Sequence, residues 1–190
     1  MLCSALDSGV CQAAGVTVSP PGVGDRVLVV GSGGAGKTTV ARALAARTGL
    51  PLIHLDACYW RPNWEPTPAD AWRAKVRELA ARSRWVMDGN YSSTLDLRLP
   101  VADTIVFLDL PRRVTLRRVL ARRLRWHGRV RPEMPEGCEE RISLDFVRWL
   151  WRFPRAGRRR LLDAIALAGV EHRVIRLTSR RDVAAWLMTQ

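Results

Sequence analysis

Gly31-Ser32-Gly33-Gly34-Ala35-Gly36-Lys37-Thr38 fits the pattern G-x-x-x-x-G-K-[ST]. Its flanks fit too. Upstream, Arg26-Val27-Leu28-Val29-Val30 is a short β-branched apolar run, as a buried parallel strand requires. Downstream, an Ala- and Leu-rich stretch places Val40, Leu44 and Ala45 at helical spacing, which predicts a helix over about Gly36–Thr48. Strand, glycine loop and helix together make a phosphate cradle. The glycines let backbone N–H groups curl round an anion, and the helix N-terminus adds partial positive charge. On this reading Gly31, Ser32, Gly33, Gly34, Ala35, Gly36 and Thr39 surround the phosphates. Lys37 reaches the outer phosphates, and the Thr38 hydroxyl ligates Mg²⁺.

Elements alternate strand and helix on both sides of this motif, which argues for a parallel sheet covered on both faces. Leu52-Ile53-His54-Leu55 reads as strand two, ending at Asp56. A loop rich in Trp and Pro follows, from Tyr59 to Pro66. Thr67 is read as the N-cap of a helix running to about Arg82, with Pro68 in its first turn. Trp85-Val86-Met87 is strand three, ending at Asp88-Gly89-Asn90. Thr104–Leu108 is strand four, ending at Asp109, which is read as a cap for the helix opened by Pro111. That helix carries Leu116, Leu120 and Leu124 on one face. A loop over 127–137, rich in Gly and Pro, reads as a lid. Helices are expected from about Glu139 to Phe153 and from Arg155 to Ala168. Arg173–Leu177 is strand five, and Ser179 with Asp182 forms a capping box for the last helix. The expected fold is a three-layer α/β/α P-loop domain with a five-stranded parallel sheet in the order 2-3-1-4-5. In such open sheets the site lies at the carboxyl ends of the strands, where Asp56 and Asp88 fall.

Composition sets the limits. A chain of 190 residues with 47% hydrophobic residues is enough for one full core, assigned to 25–190. Residues 1–24 lack Lys, Arg and a continuous apolar stretch, so they do not read as a signal peptide; they read as a disordered extension. No apolar run approaches the ~20 residues of a membrane span. The four cysteines show no metal or redox spacing, and a cytoplasmic location is expected. The net charge is +13, carried almost wholly by arginine, since Lys37 and Lys75 are the only lysines. Arg112 to Arg131 holds nine arginines and no acid. Such a patch suits phosphate-rich ligands, either nucleotides or nucleic acid.

The segments GSGGAGKTT, IHLDACYWRPNW, WVMDGNYSSTLDLRLP and VFLDLP, followed by the arginine-rich helix, resemble the bacterial DNA topology modulation protein group. These are P-loop proteins related to adenylate and shikimate kinases. The resemblance covers about Asp25 to Leu187. It implies a nucleoside-monophosphate-kinase-like fold and nucleotide binding, with ATP and Mg²⁺ as the expected cofactors. Asp88-Gly89 resembles the start of the acceptor segment in adenylate kinases. Here the chain continues Asn-Tyr-Ser-Ser-Thr instead of Phe-Pro-Arg-Thr, which removes an arginine for the acceptor phosphate. Arg98 is the candidate replacement.

Individual roles follow. Asp56 lies where small kinases place a carboxylate that orients or deprotonates an acceptor. Tyr59, Trp60, Arg61 and Trp64 either stack a ring and hold an anion or form a hydrophobic plug. Gly89, Asn90 and Tyr91 complete the acceptor side. Asp88 ends the strand beside strand one and is the second Mg²⁺ carboxylate with Thr38. Arg118 and Arg122 are assigned to the transferring phosphoryl group, and Arg129 to the nucleotide, with Arg131 as a further lid candidate. The three histidines, among them His54, read as structural.

Two functions compete on these residues. One is a small-molecule kinase acting on an unidentified acceptor. The other is a nucleotide-regulated protein gripping DNA through its arginine surface. No helix-turn-helix, zinc finger or RNA-binding aromatic motif supports the second.

Overall fold

A strand buried on both faces has no polar side and reads as an unbroken apolar run. Val27, Leu28, Val29 and Val30 are all fully buried, so β1 (Arg26–Gly31) sits at the middle of its sheet. The computed structural model describes residues 22–132, 134–139, 148, 151 and 156–190. Most of the expected extension 1–24 and nearly all of the expected helix from Glu139 to Phe153 fall outside them.

The remaining strands are β2 (Leu52–His54), β3 (Trp60–Arg61), β4 (Glu65–Pro66), β5 (Trp85–Asp88), β6 (Thr104–Leu108) and β7 (Val174–Leu177). The helices are α1 (Lys37–Thr48), α2 (Leu55–Tyr59), α3 (Ala69–Ala80), α4 (Leu95–Arg98), α5 (Arg112–Trp126), α6 (Arg158–Leu167) and α7 (Arg180–Met188). Five strands form one parallel sheet in the order β2-β5-β1-β6-β7. The numbering differs from the expected 2-3-1-4-5 because that reading lacked the short antiparallel ribbon β3–β4, which pairs Trp60 with Pro66 and Arg61 with Glu65.

Side chains alternate across a strand, so β1 feeds two cores. On one face Leu28 and Val30 join Met87, Ile105 and Phe107 under Trp72, Val76 and Leu79 of α3 and Leu161 and Ile165 of α6. On the other, Val27 and Val29 join Val86, Val106 and Leu108 under Val40, Ala41 and Leu44 of α1. Val183 and Trp186 of α7 pack at its edge. Each buried Val or Leu contributes about 1.5–3 kcal/mol. Helices on both faces fix the sheet, and every βα turn on the carboxyl side is left to build a site.

Three local readings need correction. Leu55 does not belong to β2, which ends at His54; it opens α2. Thr67 does not cap α3. That helix starts at Ala69 with Pro68 as its N-cap, while Thr67 donates both N–H and hydroxyl to the Tyr59 carbonyl, closing the ribbon loop. Asp109 does not cap α5, whose N-cap is Pro111. Its carboxylate instead accepts from Arg158 and Arg176, tying α6 and β7 to the end of β6. The capping box at Ser179 and Asp182 is present.

Candidate active site

The turn from β1 into α1 needs backbone that only glycine supplies. Gly34 has φ +76°, and a Cβ there would lie 2.4 Å from the Thr115 carbonyl oxygen. The loop therefore packs directly on α5, and any side chain at 34 would push them apart. Lys37 folds back over this loop and donates from Nζ to the carbonyls of Gly31 (3.0 Å) and Ser32 (3.1 Å). Burial pushes its ammonium below the ordinary value, opposed by Asp56 and Asp88 and reinforced by Arg122 and Arg131. From α5, Arg118 donates to the Ala35 carbonyl at 2.8 Å. Burial and then the charge of Arg180 depress its guanidinium.

Beside the loop lies a carboxylate held on both oxygens. Thr38 donates from Oγ1 to Asp88 Oδ2 at 2.8 Å, and His54 Nδ1 meets Asp88 Oδ1 at 2.9 Å. The contact follows from sheet register, since His54 ends β2 directly opposite Asp88 at the end of β5. Two residues further, Asn90 grips the Gly31 peptide in both directions. Its Nδ2 donates to the Gly31 oxygen at 2.6 Å, and the Gly31 N–H donates to its Oδ1 at 2.9 Å.

The opposite wall is aromatic. Trp64, Trp60, Tyr59 and Tyr91 form a chain of ring contacts with centroids 4.8–5.2 Å apart, and Trp72 packs against both tyrosines. The Tyr91 hydroxyl donates to Asp56 Oδ1 at 2.7 Å. Burial first, then Asp56, raises the phenol far above its ordinary value, so it stays protonated. The residues that follow the expected lid (127–137) dock on this wall. Trp64 Nε1 donates to the Glu139 carbonyl at 2.8 Å, and Cys138 Sγ contacts the Arg61 carbonyl at 3.3 Å.

These walls enclose a cavity of about 1260 Å³. The glycine loop from Gly33, Lys37, Thr38, Thr39, Asp56 and Asp88 line it. So do Trp60, Gly89, Asn90 and Tyr91, with Arg118 and Arg122. Non-glycine residues rarely adopt left-handed φ, and such backbone clusters at functional sites. Among the described residues Asn63 (61°), Trp64 (63°) and Tyr91 (31°) do so, and all three line the cavity.

Several expected residues lie elsewhere. Arg98 is fully buried and faces away from the cavity, because its guanidinium is consumed by the carbonyls of Thr94, Gly89, Asn90 and Tyr91. Arg129 is exposed and outside the cavity; its neighbour Arg131, only 8% exposed, lines it. Arg61 is exposed and pairs with Glu65 across the ribbon. Tyr59 packs behind Trp60, and Gly31 and Ser32 act through their carbonyls on Lys37. Sequence reasoning missed His54, Asn63, Arg42, Arg160 and Arg180. Only the strand-end position of His54 gave a signal for any of them.

The arrangement is that of the α/β P-loop kinase fold. A model of the ATPase family associated with various cellular activities matches residues 27–109. The structure is similar to shikimate kinase from Acinetobacter baumannii in complex with shikimate, at 20% identity and TM-score 0.54 over 87% of this chain and 89% of that one. It is also similar to shikimate kinase from Bacteroides thetaiotaomicron, at 20% identity and TM-score 0.50 over 86% and 94%. At these identities the likeness is one of fold. No curated protein matches the sequence. Among the described residues no helix is long and apolar enough to cross a membrane.

Proposed function

We propose that the protein is a small-molecule kinase that moves the γ-phosphoryl group of Mg-ATP to an acceptor held by Asp56 and the aromatic wall. The observation that carries this reading is one cavity lined both by the glycine loop with Thr38 and Asp88 and by Asp56 with Trp60 and Tyr91. A hydrolase or a nucleotide switch needs the first group only.

Oxygen-only donors suit a hard cation, and Thr38 Oγ1 and Asp88 Oδ2 already lie 2.8 Å apart. Among the described residues no group of three or more His, Cys, Asp or Glu could cage an ion alone. Mg²⁺ keeps waters and shares phosphate oxygens, so it needs few protein donors. Bound there, Mg²⁺ would neutralise phosphate charge and draw the β- and γ-phosphates into place. The chain does the rest. Lys37 exchanges its two carbonyl partners for phosphate oxygens. Arg122 and Arg131, close enough to repel Lys37, surround the transferring group with positive charge. Asp56 fixes the acceptor. Phosphoryl transfer demands positioning and electrostatics above all, and this set supplies both.

The reading as a DNA topology modulator rests on the arginine surface, where Arg113, Arg117, Arg125 and Arg129 are exposed. It gives no use for the aromatic wall. The test is ADP release from Mg-ATP over nucleosides, nucleoside monophosphates, hydroxy acids, sugars and double-stranded DNA, with Lys37→Ala as control. Stimulation by a small molecule, lost in the variant, supports the kinase. Stimulation by DNA alone overturns it.

A further inference from the structure

Three contacts join the ribbon β3–β4 to the segment that carries Arg131. Trp64 Nε1 donates to the Glu139 carbonyl at 2.8 Å, and the Cys138 thiol donates to the Arg61 carbonyl at 3.3 Å. Gly137 fits flush against Asn63, since a Cβ there would lie 2.7 Å from Asn63 Oδ1 and 3.1 Å from Asn63 N. Both sides of the seam use left-handed backbone, with φ of 61° at Asn63, 63° at Trp64 and 73° at Gly137. Cys138 is buried in it.

The seam reaches Arg131 through backbone. Val130 bridges antiparallel to Glu139, which sets the contact one residue from Arg131. The Met134 N–H then donates to the Arg131 carbonyl at 2.9 Å. Arg131 is buried and lines the cavity, as do Asn63 and Trp64. Its charge helps depress the Lys37 ammonium, so the two cations lie near each other. A long side chain acts at a fixed point only when the backbone that mounts it is itself held.

We infer that Asn63, Trp64 and Gly137 form a latch that positions Arg131 against the transferring phosphoryl group. This rests on the kinase reading above. Trp64 is the centre of the latch, because its side chain lines the cavity while its N–H holds the Glu139 carbonyl. All three are positioning residues, since they act through Arg131.

The experiment titrates the full chain with Mg²⁺ and a fluorescent ADP analogue, with and without aluminium fluoride. Aluminium fluoride stands in for the transferring phosphoryl group. The readout is the ratio of the two Kd values, and wild type should bind the analogue more tightly when aluminium fluoride is present. Trp64→Phe keeps a ring and loses the N–H. Its gain from aluminium fluoride should fall about 10-fold, within the usual range of a coupling between sites. Gly137→Ala, which forces the seam apart, should do the same. Arg131→Ala should lose as much, and adding Trp64→Phe to it should lose nothing further, as residues acting through one another do in a double-mutant cycle. A merely structural defect weakens both titrations and leaves the ratio alone. A wild-type ratio in any of the three single variants, or a Trp64→Phe loss that adds to that of Arg131→Ala, overturns the inference and leaves the kinase standing. No gain from aluminium fluoride in wild type overturns both.

Discussion

His54 and Asp88, paired residues at the ends of adjacent strands, share a hydrogen bond of 2.9 Å between Nδ1 and Oδ1. Facing a carboxylate, Nδ1 is the donor. With Thr38 on the other oxygen, the Asp88 side chain is held from two sides and is only 5% exposed. Partners of this kind orient metal-binding carboxylates, and their loss typically costs 10–100-fold in affinity. His54→Ala should weaken Mn²⁺ binding, in the presence of a non-hydrolysable ATP analogue, by about 10-fold in an EPR titration. His54→Asn places an amide donor near the same spot and should recover most of it. Equal Mn²⁺ affinity in His54→Ala and wild type would refute the role.

Asn90 ties the segment after β5 to the glycine loop through the Gly31 peptide. Two net hydrogen bonds are worth about 1–2 kcal/mol together. Asn90→Ala should therefore raise the Kd for Mg-ATP by about 5- to 30-fold in calorimetry. Asn90→Asp should do at least as badly, because it loses the donor to the Gly31 oxygen. Unaltered nucleotide affinity in both would show that the clamp has no bearing on the loop.

Arg98 predicts a loss of stability. Its guanidinium satisfies carbonyls from Gly89 to Thr94 inside the protein, and burial depresses its ordinarily high pKa. Each buried carbonyl left without a partner costs about 1–3 kcal/mol. Arg98→Met should lower the unfolding free energy by about 3 kcal/mol or more, read from urea denaturation with an unchanged slope. A loss below about 1 kcal/mol would mean the loop finds other donors.

Asp182 predicts a pH effect. Hydrogen bonds from Ser179 and then Thr178 hold its carboxyl at about 2, below the ordinary aspartate value of 3.8. A depressed acid stabilises the fold above its unfolded value, and that contribution is lost as pH falls through the folded one. Asp182→Asn should melt below wild type at neutral pH. The gap should close as pH drops from about 3.8 to about 2. A gap that stays constant over that window would place the effect in packing and not in charge.

What the sequence made legible is what short-range rules govern. The glycine motif, the apolar run of β1 and the capping box at Ser179 are local patterns, and each is present where expected. The central strands β1 and β6 announce themselves as apolar runs. Sheet order then brought Asp88 to Thr38. The ribbon β3–β4 was hidden because its strands have two residues each and turn through left-handed backbone at Asn63 and Trp64, positions with no glycine to mark them. Arg98 misled because its spacing from Asp88 fits either a ligand contact or an inward fold onto carbonyls, and only the packed loop decides. His54 looked structural because a lone histidine carries no signal until register sets it against Asp88.

The most direct measurement follows the γ-phosphoryl group itself. Wild-type protein, Lys37→Ala and Asp56→Asn would be incubated with γ-labelled Mg-ATP, a small-molecule metabolite extract and, separately, double-stranded DNA. The account predicts label in a small organic phosphate, formed by wild type and absent from both variants. Label recovered only as inorganic phosphate, at a rate that DNA accelerates and the extract does not, would contradict it.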